Sequence, residues 1–152
     1  MLDQRIRRCL EAGASVLVAT VDARGIPSCC RASAITSDDD LKTVGIYLPI
    51  ATSQQTIKDI ATTHRVAVAA THIVEHFSIQ LKGTASTARL ARDDEAALVE
   101  GRYQAFADVL YNIGLPRRLT RSVVHWPAFV VDMKVEEIFE QTPGPNAGAR
   151  LR

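Results

Sequence analysis

Apolar residues along the chain recur with two different periods. Ile6, Cys9 and Leu10 share one side of a short helix predicted over residues 3–12, which Gly13 would end. "SVLVATV" then reads as a mostly buried strand, "DARG" as a turn, and "IPSCCRASAI" as the returning strand of a hairpin. A second turn, "SDDD", leads into "LKTVGIYLP", which Pro49 stops. In "TSQQTIKDIATTH" the apolar spacing turns helical, with Ile57, Ile60, Ala61 and His64 as the expected buried stripe. Thr52 and Gln55 have the spacing of a capping box at its start.

Beyond this helix, "RVAVAAT" and "FSIQLKGTASTARL" predict two strands. In the second, Phe77, Ile79 and Leu81 alternate with Ser78, Gln80 and Lys82, giving one apolar and one polar face. "RDDEAALVEGRYQAFADVL" reads as a helix with Asp93, Asp94 and Glu95 near its positive N-terminal end. "IGLPRRLTRSVVHWP" reads as a loop with a short helical piece. "FVVDMKVEEIFE" closes the pattern as a strand, with Phe129, Val131, Met133 and Val135 on one face. The result is a mainly β chain of about six strands, most joined by short turns, with two or three added helices. This pattern favours a small antiparallel barrel with helices outside it. Residues 1–140 are expected to form a single domain, and the Pro- and Gly-rich residues 141–152 a flexible tail.

Composition narrows the function classes. The 152 residues carry 18 Lys and Arg against 17 Asp and Glu, a net charge of +1, so no electrostatic footprint for nucleic acid or an anionic membrane is present. The three cysteines include no CxxC, and Cys29 and Cys30, adjacent on a strand, point to opposite faces. Neither a zinc site nor a disulfide framework is indicated. The N-terminal apolar run is too short for a secretory signal and nothing else approaches a membrane span, so a soluble cytoplasmic protein is expected.

Candidate chemistry gathers at "TIKDI". A helix N-terminus offers unpaired amides and a positive dipole end, and Thr56 and Lys58 add a hydroxyl and a cation, together the parts of a phosphate cradle. The plainer reading is a capped helix with a solvated lysine. Arg31, in a strand otherwise made of small and apolar residues, is a second cation that would need an anionic partner if buried. His72 and His76 have a spacing that would ligate a metal on a helix, but their context reads as a turn and no third ligand is evident, so no metal is expected. His64 and His125 read as capping or core-edge residues.

In order and local motifs the chain resembles the flavin-binding split-barrel family that includes pyridoxamine 5'-phosphate oxidase. "VLVATVDARGIPSCCRASAI" is similar to the family's first hairpin with its strand arginine, and "TIKDIATTHRVAVAA" to its phosphate-binding helix start and following strand. "FSIQLKGTASTARL" resembles the long strand with a central glycine, and "VVDMKVEEIFE" the closing strand. The resemblance implies a six-stranded antiparallel split β-barrel, a homodimer with FMN in clefts between subunits, and flavin-dependent oxidoreductase activity on a small-molecule substrate. It implies that Arg31, Thr56 and Lys58 hold the FMN phosphate, that Ser33, Ser78 and Gln80 line the flavin ring, and that Trp126 reaches the flavin of the opposite subunit. Ile57 stands where the oxidase tends to have arginine, Thr36 where its motif ends in lysine, and Ser78 where it uses glutamine. Ile57 and Ser78 motivate one alternative, a non-catalytic split barrel for haem or a deazaflavin; a second is a cofactor-free dimeric interaction protein.

Overall fold

The helical spacing near the N-terminus is realised in α1 (Leu2–Glu11), where Ile6, Cys9 and Leu10 are almost wholly buried. The structure, a computed structural model, describes residues 2–152. The strands are β1 (Ser15–Val21), β2 (Pro27–Arg31), β3 (Ala34–Ser37), β4 (Thr43–Pro49), β5 (Arg65–His72), β6 (Phe77–Ala85), β7 (Arg89–Leu90) and β8 (Ala128–Glu140). Helices α2 (Gln54–Thr63), α3 (Ala96–Asn112) and α4 (Arg117–Thr120) complete the fold, with a 3-10 turn over Asp93–Glu95 leading into α3.

All pairings are antiparallel, in the order β2-β1-β5-β6-β8-β4-β3, with β7 also on β8. The two ends of this order are halves of one bent strand. At the bend the Ala32 amide donates to the Val16 carbonyl at 3.0 Å and the Ser33 amide to the Tyr47 carbonyl at 2.8 Å. The chain thereby passes from one end of the sheet to the other and curls it into a half-barrel. With β2 and β3 counted as one strand and the two-residue β7 set aside, six long strands remain, as the alternation predicts.

Alternation also places the core. Val16, Val18, Val66, Val68, Phe77, Ile79, Leu81, Val131 and Met133 point inward, each worth about 1.5–3 kcal/mol when removed from water. A second cluster lies on the other side of β3, β4 and β8, where Ala34, Tyr47, Ala128 and Val130 meet Val99 of α3. Between Lys82 and Gly83 the β6–β8 register shifts: Lys82 pairs with Glu137 and Gly83 with Val135, so Glu136 is bulged out. The bulge turns the apolar alternation of β8 by one residue, and Ile138 becomes the next buried position.

Two expectations about α2 are corrected. Thr52 and Gln55 do not form a capping box: the N-cap is Ser53, and its hydroxyl donates back to the Pro49 carbonyl at 2.7 Å instead of capping the helix. Nor do Ile57, Ile60, Ala61 and His64 form the buried stripe. Thr56, Asp59 and Ile60 are buried, Ala61 is exposed, and His64 is the left-handed C-cap at φ 57°. The helix is rotated because its polar residues have partners under it. The Asp59 carboxylate accepts from Thr20 at 2.7 Å, from Gln55 at 2.8 Å and from the Ser28 hydroxyl. Burial pushes the Asp59 carboxyl up, but those three donors outweigh it and hold it below the usual carboxylate range. Asp59→Ala should lower stability by about 2 kcal/mol in urea unfolding by orphaning these donors, whereas Asp59→Asn should recover part of the loss.

Residues 141–152, expected as a flexible tail, run back along β8. The Gln141 amide donates to the Ser78 carbonyl at 2.8 Å and the Leu151 amide to the Ile138 carbonyl at 2.7 Å. Arg150 pairs with Glu137 at 3.2 Å. His72 ends β5 and His76 sits in the following turn at φ 54°, so no helical face carries the two histidines. Among the described residues no helix is long and apolar enough to cross a membrane.

Candidate functional site

A cleft of about 420 Å³ opens where the bend between β2 and β3 faces the loop before α2 on one side and α3 with the loop before β8 on the other. Arg31, Ser33, Thr52, Tyr103, Phe106 and His125 supply its polar and aromatic walls. The bend that closes the half-barrel thus also presents Arg31 and Ser33, on either side of Ala32, at one cavity. A larger cleft of about 520 Å³ lies on the outer sheet face, where Arg65 and Lys82 stand across from Glu136 and Glu137. Its charges balance one another, which leaves the smaller cleft as the better candidate for an anionic ligand.

Arg31 is exposed but held. Its Nη1 donates to the Ser15 hydroxyl at 2.8 Å, and its guanidinium carbon lies 5.2 Å from the centre of the Phe106 ring. One end of the guanidinium is fixed by these contacts, an arrangement suited to planar recognition of an anionic oxygen pair. The Ser33 hydroxyl donates to the His125 carbonyl at 2.9 Å, tying the loop before β8 to the bend. Beside the cleft, α2 begins without a side-chain cap, so its first amides are not satisfied by Ser53.

His125 is the most constrained group in the cleft. Its Nε2 lies 2.6 Å from the Glu100 carboxylate and its Nδ1 3.2 Å from the Val123 carbonyl. Its ring is stacked on Tyr103, centroids 4.1 Å apart and planes 7° from parallel. The hydrogen bond from His125 and a second from Gln104 hold the Glu100 carboxyl below the usual carboxylate range. Tyr103 is buried, and its hydroxyl donates to the Thr120 carbonyl, fixing α4 against α3.

The other expected site residues are placed differently. Thr56 is 2 % exposed, and its hydroxyl contacts the Cys30 sulfur at 3.3 Å beneath the cleft. Lys58 is exposed on α2. Ser78 and Gln80 are half-buried on β6, away from the residues that line this cleft; the Ser78 hydroxyl lies 2.7 Å from that of Thr71. Trp126 packs onto the cluster between α3 and the sheet. Of the expected set, the fold therefore brings Arg31 and Ser33 together in this cleft. Tyr103, Phe106 and His125 also line it; His125 reads in the sequence as a capping or core-edge residue, and Tyr103 and Phe106 read as ordinary amphipathic positions of α3. Cys29 is exposed and Cys30 buried, as neighbours on a strand must be, and burial pushes the Cys30 thiol up.

No family model matches the chain, and no curated protein does. Solved structures share its fold. HupZ of Group A Streptococcus is 24% identical, covering 97% of this chain and 100% of its own, with a TM-score of 0.60. A candidate pyridoxamine 5'-phosphate oxidase from Lactobacillus delbrueckii is 19% identical over 88% and 90% of the two chains, with a TM-score of 0.55. HutZ of Vibrio cholerae, a heme storage protein, is 13% identical over 91% and 94%, with a TM-score of 0.52. An FMN-binding protein from Syntrophomonas wolfei and an F420 reductase have the same architecture. The chain thus has the split-barrel fold of pyridoxamine 5'-phosphate oxidase-like proteins, a fold whose known examples include FMN-, F420- and haem-related proteins.

Proposed function

We propose that this chain is an FMN-binding split-barrel protein, a flavin-dependent oxidoreductase that acts as a homodimer on a small-molecule substrate. The observation that carries the reading is the pre-held Arg31 guanidinium, which faces a cleft of flavin-accommodating size next to the uncapped start of α2. Arg31, Thr52 and the α2 amides would hold the phosphate, and Lys58, exposed one turn along the same helix, would add charge. Ser33 and the aromatic residues of α3 would border the ring. FMN would supply the redox chemistry, while the chain positions it and excludes water from one side. Thr56 would act from beneath, by fixing Cys30 and the β2 wall. Ser78 and Gln80 would reach a flavin only across a second copy. The outer groove, where Arg65 and Lys82 stand across from Glu136 and Glu137, is where that copy would fit, cation against anion across a two-fold axis.

FMN titrated into the protein should lose fluorescence on binding. Arg31→Ala should weaken FMN binding about tenfold or more by removing a charge-assisted contact to the phosphate, and should leave riboflavin binding within about twofold. Equal FMN affinity in the variant and the wild type would sink this assignment. A haem or deazaflavin reading is favoured by one observation: among the described residues, Arg31 is the one lysine or arginine that lines the cleft. The visible spectrum of the protein as isolated separates these cofactors, because flavin, deazaflavin and haem absorb at different wavelengths.

A further inference from the structure

We infer that His125 is the platform on which the planar ring of the bound cofactor lies. The inference deepens the FMN reading and rests on it for the identity of the ligand. Three features of the structure support it. First, His125 and Tyr103 both border the cleft and are stacked at 4.1 Å, but Tyr103 is only 5 % exposed whereas the His125 side chain is 22 % exposed. The tyrosine covers one face of the imidazole, and among the described aromatic residues nothing stacks on the other. Second, both ring nitrogens have partners within the chain, Glu100 and the Val123 carbonyl. The imidazole edge is therefore occupied, and what it offers a ligand is its π face rather than a lone pair or a free N–H. Third, the ring is held by its two edge contacts and by the stack on one face, and the backbone that carries it by the Ser33 hydroxyl, which donates to the His125 carbonyl. A platform immobilised before binding costs little further entropy when a second ring is laid on it.

The chemical class recognised is a flat heteroaromatic ring carrying an anionic arm, the ring on His125 and the arm on Arg31. Two substitutions separate a platform from a merely structural histidine. His125→Gln keeps a polar partner for Glu100 but has no ring, while His125→Phe keeps a ring but loses both edge hydrogen bonds. Binding of FMN and of lumiflavin, the same ring without the phosphate arm, is measured by fluorescence quenching and by circular dichroism in the flavin bands. The wild type should bind both. His125→Gln should weaken each about tenfold, with a smaller induced dichroism, and His125→Phe should stay within about threefold of wild type. The reverse order, with His125→Gln binding as well as or better than His125→Phe, overturns the inference. If lumiflavin binds in a His125-dependent way but the wild type shows no preference for FMN over lumiflavin, the FMN reading falls and the platform stands. If the wild type binds neither ring, both fall.

Discussion

Gly83→Ala should abolish the folded state or cost about 4 kcal/mol or more, the largest effect expected of any single methyl group added to this chain. A Cβ at this position would lie 1.9 Å from the Lys134 carbonyl oxygen, 3.0 Å from its carbon and 3.2 Å from the Glu136 nitrogen. All three are backbone atoms of β8 at the bulge, so no side-chain rotation relieves the clash. Either β6 and β8 separate or the bulge is lost. Loss of the bulge would turn Ile138 out of the core, because one residue of register exchanges the two faces of a strand. Urea unfolding followed by far-UV circular dichroism measures the cost. Wild-type stability for the variant would show that β8 can accommodate the methyl and that the bulge is not fixed. Gly25 gives the contrast: it sits at φ 83° in an open turn with nothing within 4 Å, so Gly25→Ala should cost only the backbone strain of about 1 kcal/mol.

Glu95→Ala should lower stability by about 3 kcal/mol, since it breaks an ion pair whose acid is shielded from water. The Glu95 carboxylate accepts two hydrogen bonds from Arg89, each at 2.7 Å, one from the Arg92 amide at 2.8 Å and one from the Tyr47 hydroxyl at 3.0 Å. Its side chain is 11 % exposed and that of Arg89 43 %, and the water left at Arg89 places the expected cost at the low end for a buried pair. The cluster joins β7, β4 and the start of α3, the helix that carries Tyr103, Phe106 and Glu100. Under the proposed function, weakened flavin binding should accompany the loss of stability. The hydrogen bonds from Arg89, together with those from the Arg92 amide and Tyr47, outweigh burial and bring the Glu95 carboxyl down from 4.5 to about 2. With the folded pKa below the unfolded one, this contribution is fully present above about pH 4.5 and is lost as pH falls through about 2. Between pH 5 and 2 the wild type should lose more stability than Glu95→Gln. Equal slopes for the two proteins would show that Glu95 is not the group responsible.

Much of this architecture was legible in the residue pattern. The alternation Phe77, Ile79, Leu81 set the inward face of β6, and Ile6, Cys9 and Leu10 set the buried side of α1. The resemblance to split-barrel proteins pointed to the fold that the structure and its neighbours show. Arg31 stood out as a cation in a strand of small residues, and it borders the candidate cleft. Less legible were positions whose partners lie far along the chain. Glu95 reads as a helix-start acid, yet its partners include Tyr47, 48 residues away. Thr56 reads as a phosphate hydroxyl, yet Cys30 lies beneath it.

By itself the sequence determined which residues must leave water and with what period, because burial of apolar side chains follows from local spacing on a strand or helix. It thereby specified the strands, the helices and a barrel-like closure. Only the tertiary structure decided which polar groups share a space. The Ala32–Ser33 bend joins the two ends of the sheet, the β8 bulge fits against Gly83, and the loop bearing His125 meets Arg31 across α3. Those juxtapositions depend on contacts between segments up to about a hundred residues apart, whose hydrogen bonds and close approaches leave no periodic trace in either segment alone.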